Sequence, residues 1–518
     1  MLLPPLSKIL QSMGLPHYKA LYEEVNIDTP KEIYNFVEFF KDKVKPLHMP
    51  RILIVGDGDN DGFVATKVAY KTLYRDYAVD FIFPKGKSHG INELLMDILF
   101  EDYQVVIIVD SATNDFTALN TLLIHDKIVI VIDHHKLNQT PYPIKNDNFF
   151  LLNCKMFENT VFHDLSAGYL TYMAMEALKP ILNKTGEDLF DLAITSIYSD
   201  ECSLRNEFNR SIVNKAYNRT SYSEFLSKFM TKYDRLDVNF VSWNYAPRIN
   251  NLFRMEHLDV VENLILEDNL ESSLKLMDMF YQSSKAVRDD LLLSSSHKSL
   301  DNLVFVDLTN TKSHIYSELN AYNFTGMIAN EMASKYLQAS LVCYKYFDGL
   351  EYKYKCSFRD FYNRNVFPVL SSLPVSGGGH KSAFGFTCDE KDIFKVVNYL
   401  DKYIGIISLD MEYIKDKINI VNISTLSELN TLSNLNRLEE YAKYNTIAGT
   451  DLMPIFIKSF IGYQPTITLE KNRTVIRDRK VQAVIFDKVY NRSTLLKLKP
   501  KFEFNNSVIL IGEIAYSS

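Results

Sequence analysis

Three segments of the chain share one pattern of hydrophobic positions, a short run of valine and isoleucine that ends in aspartate. They read RILIVGD from Arg51, QVVIIVDS from Gln104 and KIVIVIDHH from Lys127. Strands that are apolar at successive positions are buried on both faces, which is typical of a parallel sheet covered by helices. The pattern therefore predicts three central strands of such a sheet.

Helical periodicity lies between these strands. It occurs in GFVATKVAYKTLYRDYA, in DFTALNTLLIHD and in INELLMDILF, which follows a short strand DFIF. Strands that alternate with helices indicate a doubly wound α/β unit, here over residues 51–133. Such sheets bind ligands beyond the carboxyl ends of their strands, so we expect Asp57, Asp110 and Asp133 to converge there.

Acidic residues are concentrated directly after the strand RILIV, because the segment GDGDNDG contains Asp57, Asp59 and Asp61. Asp61 has two interpretations that both stay open, a member of the acidic cluster or the N-cap of the next helix. For Asp57, Asp59 and Asp110 together, capping is a poor explanation. Converging carboxylates raise one another's pKa and stay ionised only when cations neutralise them. The pattern therefore predicts a metal site.

The motif IDHH adds nitrogen donors, since His134 and His135 follow Asp133 at the end of a converging strand. Two consecutive histidines at this position are hard to explain by packing. A mixture of imidazole and carboxylate ligands favours manganese, zinc or iron over calcium, and the number of ligands suffices for two ions. Two ions would activate water and stabilise an in-line displacement at phosphorus, so we expect phosphoester hydrolysis.

Four ordered motifs, GDGDNDG, VDSATND, IDHH and SIYSDECSL, resemble those of the DHH phosphoesterase superfamily, and of its RecJ-like branch in particular. The resemblance implies a set of catalytic residues: Asp57, Asp59, Asp110, His134, His135 and Asp200. It implies all of these except His135 as metal ligands, with Asp110 bridging two ions, and His135 as a ligand or a substrate contact.

Other residues follow from the same resemblance. It implies Asp61 as the additional aspartate of the RecJ-like branch and Asp133 as the residue that orients the histidines. The segment NEFNR resembles the family's ENR motif and implies Asn209 and Arg210 as substrate contacts. One departure stands in the second motif, where Ser111 and Ala112 replace the usual Cys-Gly pair; we therefore make no prediction for the loop conformation there.

A second signature, SGGGHKSAFGF, lies far downstream. Successive glycines let a backbone approach a phosphate closely, although alone they would predict only a turn. Together with CSFRDF and GMIANEMASKYLQASLVCYKY, the segment resembles the DHH-associated domain, which in this family closes over the nucleic acid. The resemblance implies six residues that bind substrate: Ser357, Arg359, Gly377, Gly378, Gly379 and His380.

The predicted fold class is α/β, with a doubly wound parallel-sheet DHH domain joined by a helical connector to a smaller α/β DHH-associated domain. After these we expect a mixed or β C-terminal domain, where RecJ-like proteins carry an oligonucleotide-binding barrel. The predicted boundaries are an N-terminal helical segment 1–47, the DHH domain 48–257, connector helices 258–298, the associated domain 299–405 and the C-terminal domain 406–518.

Composition limits the class of protein further. The chain has 518 residues, 47% of them hydrophobic and 23% charged, which is ordinary for globular proteins. No apolar run approaches the ~20 residues that cross a bilayer, so we expect no membrane span. The N-terminus predicts an amphipathic helix rather than an export signal, and hence a cytoplasmic protein. Five scattered cysteines without a CxxC pair predict reduced core thiols.

Charge is distributed unevenly along the chain. The net charge is −7, so binding to a polyanion must depend on local patches or bound metal. Residues 471–501 hold ten Lys or Arg against two Asp, with Phe486, Tyr490 and Phe502 among or beside them. A solvated face would account for such a run. Cations that track phosphates and rings that stack on unpaired bases would equally suit a groove for single-stranded nucleic acid.

These observations together predict a metal-dependent exonuclease that degrades single-stranded DNA, in DNA repair or recombination, with two divalent ions. Manganese is the first expectation and magnesium the second, DNA is favoured over RNA, and the 5′ to 3′ polarity is implied only by the RecJ-like resemblance. One alternative is a hydrolase of oligoribonucleotides or cyclic dinucleotides, but the basic run favours a longer strand. Another is a non-catalytic replication scaffold, which the complete set of metal-binding positions disfavours.

Overall fold

The structure is a computed structural model. It describes residues 6–12, 25, 27–86, 90–183, 187–231, 234–315, 320–361, 364–379, 382–407, 419–425, 440–441, 444, 455–460, 466–470, 473–478, 481–486 and 509–513. Within these ranges, no helix combines the length and the apolar character needed to span a lipid bilayer. All five cysteines are buried and unbridged, as predicted.

The first sheet has five parallel strands in the order β2-β1-β3-β4-β5. Their bounds are β1 Arg51–Val55, β2 Ala78–Ile82, β3 Val105–Val109, β4 Ile128–Asp133 and β5 Phe149–Asn153. The sequence pattern predicted the first four strands. It missed β5, because FFLLN lacks the run of valine and isoleucine that marks the central strands.

Helices cover both faces of this sheet, which explains the continuous apolar strands. Alternate residues of a strand point to opposite faces, so Ile52 and Ile54 pack on one side while Leu53 and Val55 pack on the other. The first side is covered by α2 Lys31–Lys43, α3 Asn60–Leu73, α6 Ala167–Leu178 and α7 Phe190–Ser199, and the second by α4 Leu95–Phe100 and α5 Phe116–Ile124.

Helical structure continues between the two main sheets. The helices are α8 Glu207–Tyr217, α9 Glu224–Ser227, α10 Ala246–Arg254, α11 Leu258–Leu266 and α12 Leu270–Ser294. The last two correspond to the predicted connector, and α12 is its long helix of 25 residues. At the N-terminus, α1 Leu6–Ser12 falls in the predicted amphipathic helix, much of which lies outside the described residues.

The second sheet has six strands in the order β10-β11-β9-β8-β7-β6. They are β6 Ser296–Ser299, β7 Leu303–Asp307, β8 Ala339–Phe347, β9 Tyr352–Asp360, β10 Val375–Gly379 and β11 Ala383–Asp389. Only the β7 and β8 pair is parallel. One face packs on α13 Thr325–Tyr336 and the other on α14 Ile393–Ile406. The mixed α/β character agrees with the prediction.

Two small sheets form most of the described C-terminal part. One has the order β12-β13-β17, with β12 Asn419–Thr425, β13 Ile455–Phe460 and β17 Ile509–Glu513. The other is an antiparallel meander of β14 Thr466–Glu470, β15 Arg473–Asp478 and β16 Val481–Phe486. The alternating segments PTITL, TVIRDRKVQAVIF and SVILIGEIAYSS predict β14 to β17, whereas β12 and β13 were not predicted. The segment TLSELNTLSNLNRLEEYAKY from Thr425, whose leucine-rich pattern predicts a helix, lies mostly outside the described residues. The same holds for Tyr490, Phe502 and part of the basic run 471–501.

Candidate metal centre and its surroundings

A first group of carboxylates lies at the carboxyl ends of β1 and β3. Asp57, Asp59 and Asp110 each offer an oxygen, and these oxygens all lie within 4.8 Å of one another. Asp57 and Asp110 are buried. Asp110 and Ala112 have φ of 62° and 69°, a conformation that residues other than glycine rarely adopt. Ala112 holds it where the related motif has glycine, so the strand end keeps this shape at an energetic cost.

A second group forms around His134, which follows β4. His134 lies with Asp61 and Asp200 in a set whose ligand atoms are again within 4.8 Å of one another. Its Nε2 is 3.8 Å from Asp61 Oδ2 and 3.4 Å from Asp110 Oδ1, and its Nδ1 is 3.4 Å from Asp200 Oδ2. Asp200 is the residue directly after α7. The histidine therefore connects the ends of β3, β4 and α7.

Asp59 and Asp61 make different contacts, and the N-cap interpretation of Asp61 is wrong. Asp59 caps α3, because its carboxylate accepts hydrogen bonds from the amides of Asp61 and Gly62 at 2.9 and 3.1 Å. Asp61 reaches a different helix and accepts from Ala167 and Gly168 at the start of α6, at 2.8 and 2.7 Å. Spacing along the chain does not distinguish these contacts, since either residue precedes the helical pattern.

Asp133 is fully buried and holds the histidine segment in place. Its Oδ1 accepts from the amides of His134 and His135 at 2.7 and 3.2 Å and lies 2.7 Å from His135 Nδ1, while Oδ2 accepts from Thr113. Burial opposes ionisation, but the His135 hydrogen bond and the charges of both histidines lower the pKa of Asp133. Although burial opposes it, the same pairing raises the pKa of His135 to about 9.

The remaining carboxylates repel one another. Burial first, and then the charges of Asp200 and Asp59, raise the pKa of Asp61 well above its usual value. Burial and then the charges of Asp61, Asp59, Asp57 and Asp133 do the same for Asp110. Within the part of the chain that the structure describes, His134 is the only basic side chain within ion-pair distance of Asp61 or Asp110.

This donor set fits divalent cations. Carboxylate and imidazole donors are the ligands that manganese and related ions prefer, and bound cations would lower the pKa values that mutual repulsion raises. Asp110 belongs to two of the three groups of candidate ligands. One is the group with Asp57 and Asp59, and the other also contains Asp133, His134 and His135.

Asn209 and Arg210, which the sequence suggested as substrate contacts, are buried in α8. Asn209 Nδ2 donates to the carbonyl oxygens of Asp164 and Ser203, and an Arg210 nitrogen donates to those of Leu204 and Arg205. Both side chains therefore hold the loop that follows Asp200. Contact with substrate stays a prediction.

A pair of arginines lies beside the carboxylates, and sequence reasoning found only one of them. Arg359 is on β9, whereas Arg254 ends α10 in a segment without a recognisable motif. Burial lowers the pKa of both; for Arg254, the nearby Arg359 lowers it further to about 10, while Asp59 raises it. Asn323 joins the two units, because its amide donates to the Arg254 carbonyl at 3.1 Å and to Glu256 at 3.0 Å.

The three predicted glycines lie in strand β10 rather than in a turn, and they differ in their surroundings. A Cβ on Gly377 would lie 2.2 Å from the Gly385 carbonyl oxygen, and one on Gly379 would lie 2.6 Å from Phe384 Cα. A Cβ on Gly378 would meet nothing within 4 Å. Packing therefore requires glycine at the outer two positions but not at Gly378. Ser357 is buried on β9, which β11 separates from β10, and His380 lies outside the described residues.

Comparison with known proteins agrees with this architecture. The sequence profile of the DHH family, N-terminal domain, matches residues 51–197. RecJ of Bacillus subtilis strain 168, a single-stranded-DNA-specific exonuclease, is 24% identical over 364 residues, which are 66% of this chain and 44% of RecJ. YorK, from the SPbeta prophage of the same organism and provisionally described as a single-strand DNA-specific exonuclease, is 22% identical over 372 residues, or 65% of this chain and 62% of YorK.

The fold is also that of a solved structure, RecJ in complex with Mn²⁺ from Thermus thermophilus. The TM-score is 0.72 at 16% identity, over 100% of this chain and 76% of that one. The chain therefore carries a DHH domain. In sequence and in fold, the chain is similar to RecJ proteins. It spans 44% and 62% of the length of the two curated relatives.

Gly62 tests whether the acidic loop must keep its shape. Alanine is normally favoured over glycine inside a helix by about 1 kcal/mol. Here a Cβ on Gly62 would lie 2.4 Å from the Asp57 carbonyl oxygen and 2.6 Å from its nitrogen, so backbone must move. We expect Gly62→Ala to weaken Mn²⁺ binding by at least about tenfold, or about 1.4 kcal/mol, measured by isothermal titration calorimetry.

Gly58→Ala is the matched control in the same loop. Its Cβ would approach the Gly86 carbonyl oxygen only to 3.4 Å, an ordinary contact, so Mn²⁺ affinity should stay within about twofold of wild type. Equal affinities for all three proteins would show that the carboxylates tolerate displacement of the loop.

Proposed function

We propose that this protein is a divalent-metal-dependent exonuclease that degrades single-stranded DNA from the 5′ end. The observation that carries the proposal is the set of overlapping carboxylate and histidine groups around Asp110, near two half-buried arginines. The exonucleolytic mode and the DNA substrate are supported by RecJ of Bacillus subtilis, which is specific for single-stranded DNA. The polarity and a role in repair or recombination are extrapolated from the RecJ-like resemblance.

The candidate ligands divide into two overlapping sets in this proposal. Asp57 and Asp59 would hold one ion and His134 and Asp200 the other, with Asp110 shared between them. Asp61 lies close enough to His134 and Asp200 to join the second set. Bound divalent ions supply an activated water and offset the charge that develops at phosphorus during in-line displacement. Manganese is the first choice, with magnesium as the alternative.

The arginines would position the substrate phosphate. Arg254 keeps its charge at neutral pH, because its pKa of about 10 is still well above 7. Two neighbouring guanidinium groups repel each other unless an anion lies between them, and guanidinium groups bind phosphate with paired hydrogen bonds. The proximity of Arg254 to Asp59 would place that phosphate at the edge of the metal centre. His135 is held by Asp133, which leaves its Nε2 for a ligand or the substrate.

A direct assay distinguishes this proposal from other DHH activities. The purified chain is incubated with end-labelled single-stranded DNA, duplex DNA, single-stranded RNA and a cyclic dinucleotide, each with Mn²⁺ and with Mg²⁺. We expect stepwise shortening of single-stranded DNA from the 5′ end, and little action on the duplex. Preferential cleavage of RNA or of the cyclic dinucleotide would overturn the substrate assignment, and hydrolysis of none of them would indicate a non-catalytic protein.

Asp110→Asn separates metal binding from folding. The substitution removes one of several buried negative charges that repel one another, so the metal-free variant should be at least as stable as the metal-free wild type. Saturating Mn²⁺ stabilises a protein by about 2.7 kcal/mol at a hundredfold excess over Kd, and the variant should lose this gain together with hydrolysis. Thermal denaturation with and without Mn²⁺ measures both effects.

Asp126→Asn is the control, since this exposed residue precedes β4 at the opposite end of the same sheet. It should keep both the Mn²⁺ stabilisation and the activity. An Asp110→Asn protein that hydrolyses single strands at the wild-type rate would eliminate Asp110 as a metal ligand.

Arg254→Met and Arg359→Met test the phosphate assignment. Methionine keeps most of the apolar stem but removes the guanidinium, so each variant should raise KM for single-stranded DNA by about tenfold or more while Mn²⁺ affinity is unchanged. Arg75→Met, at an exposed position in the turn after α3, is the control and should resemble wild type. If either variant loses Mn²⁺ binding, then that arginine supports the metal centre and does not bind phosphate.

A further inference from the structure

Asn60 lies between two candidate metal ligands and is almost completely buried. It is the first residue of α3, directly after Asp59 and before Asp61. Only 1% of the residue is exposed, and among the residues that the structure describes its Oδ1 has no hydrogen-bond partner. Buried acceptors are nearly always hydrogen-bonded, so such an oxygen indicates a water molecule or an ion.

The remainder of the Asn60 side chain and its backbone amide are held in place. The backbone nitrogen donates to Asn250 Oδ1 on α10 at 2.7 Å, and Nδ2 donates to Ser199 Oγ at 2.8 Å. Ser199 is the last residue of α7, and its hydroxyl donates to the Ser196 carbonyl at 3.3 Å. Because the hydroxyl proton is already used there, the Asn60 atom beside Ser199 is the amide nitrogen. The oxygen is therefore directed elsewhere.

A small cavity lies where α3, α7 and α10 meet. Its volume is about 20 Å³, which is room for one water molecule or one ion. Among the described residues, it is lined by Asp59, Asn60, Asp61, Ser199, Asp200 and Asn250. Each of these side chains offers an oxygen, and three of them are carboxylates. A cavity with this lining attracts a cation.

The cavity adjoins the second group of candidate ligands. Asp61 and Asp200 line it, and their ligand atoms and that of His134 lie within 4.8 Å of one another. An octahedral ion such as Mg²⁺ takes about six ligands, so these three residues leave about three positions for water or for further side chains. Asn60 lines the same cavity and has an oxygen to offer.

A neutral oxygen suits this position better than another carboxylate. Three carboxylates already line the cavity, and like charges at short distance repel one another. A further carboxylate would add to this repulsion, whereas an amide oxygen adds a lone pair without a net charge. Asparagine carbonyl groups are regular ligands of hard cations. Asn60 can therefore strengthen the binding of an ion without making the ion-free cluster more repulsive.

We propose that Asn60 is an additional metal ligand, and that its Oδ1 binds one of the two divalent ions together with Asp61, His134 and Asp200. The inference rests on the metal-dependent activity proposed above and adds a fourth protein ligand to that set. The cation is Mn²⁺ or Mg²⁺. The hydrogen bond from Asn60 Nδ2 to Ser199 would turn the oxygen toward the ion, so Ser199 acts as a positioning residue.

Asn60→Ala tests the ligand directly, with Mn²⁺ as the probe. Loss of one ligand should weaken the binding of one Mn²⁺ by about tenfold in isothermal titration calorimetry, while the other ion keeps its affinity within about twofold. Water takes the free position on the ion. The relaxation rate of solvent protons rises with the number of water molecules on bound Mn²⁺, so it should exceed that of wild type. A residue that only stabilises the fold would not change this number.

Asn251→Ala is the matched control. Asn251 is also 1% exposed, its Nδ2 donates to the Phe280 carbonyl at 3.0 Å, and within the described residues its Oδ1 too has no hydrogen-bond partner. It lies on α10 but not at the cavity. Both Mn²⁺ affinities and the proton relaxation rate should therefore stay at wild-type values. Thermal denaturation of the metal-free variants checks that both are folded.

Asn60→Asp is the conservative variant, and it decides the question if Asn60→Ala does not fold. It keeps an oxygen at the same place and adds a charge, so its Mn²⁺ affinity should equal or exceed that of wild type. Weaker Mn²⁺ binding by Asn60→Asp, or wild-type affinities and proton relaxation in Asn60→Ala, would overturn the inference. Equal losses in Asn60→Ala and Asn251→Ala would overturn it as well, because they would reflect a general loosening of the fold.

Failure of the proposed function gives a different result. If the wild-type chain binds Mn²⁺ but hydrolyses no substrate, then the exonuclease proposal fails while the comparison of Mn²⁺ binding still decides the role of Asn60. If the wild-type chain hydrolyses single strands and Asn60→Ala binds Mn²⁺ as wild type does, then only this inference fails. A wild-type chain that binds no Mn²⁺ would overturn both.

Discussion

Repulsion among carboxylates is the constraint on which the rest of this structure depends. Asp57, Asp59, Asp61 and Asp110 share a small, largely buried volume, where their charges raise the pKa of Asp61 and Asp110. The fold offsets part of this cost with backbone amides, since Asp59 accepts from the start of α3 and Asp61 from the start of α6. Helix N-termini carry only partial charge, so the remaining repulsion calls for cations. Folding and metal binding are therefore coupled energetically.

A parallel sheet is well suited to carry such a cluster. Its strands end at one edge, where the carboxylates lie. Helices on both faces supply apolar contacts that compensate for the repulsion among these carboxylates. The cost is visible in the backbone as well, because Asp110 and Ala112 adopt positive φ at the end of β3. The strands fix the positions of the carboxylate oxygens. Neither the repulsion among these carboxylates nor the positive φ of Asp110 and Ala112 can be relieved unless the sheet moves. The stability of the core thus maintains a locally unfavourable arrangement.

The sequence predicted the central strands, their acidic ends and the convergence of Asp57, Asp110 and Asp133, because buried parallel strands have a strong local pattern and share one edge. It could not predict which aspartate reaches which helix, since the Asp59 and Asp61 contacts depend on how α3 and α6 cross. It missed β5, whose composition is not distinctive. Arg254 was missed for a different reason: its proximity to Arg359 arises only from the packing of two distant segments.

The charged side chains near the candidate metal centre come from two units, each with its own hydrophobic core. The carboxylates stand on the first sheet or on helices packed against it, and Arg254 on α10 belongs to the same core, whereas Arg359 belongs to the second sheet. Asn323 fixes their relative position through hydrogen bonds to the Arg254 carbonyl and Glu256. A chain with net charge −7 would repel nucleic acid at a distance, so attraction must come from such local groups of cations. The carboxylates and Arg254 therefore stand on one unit and Arg359 on the other, and the packing of the two units brings Arg359 near Arg254.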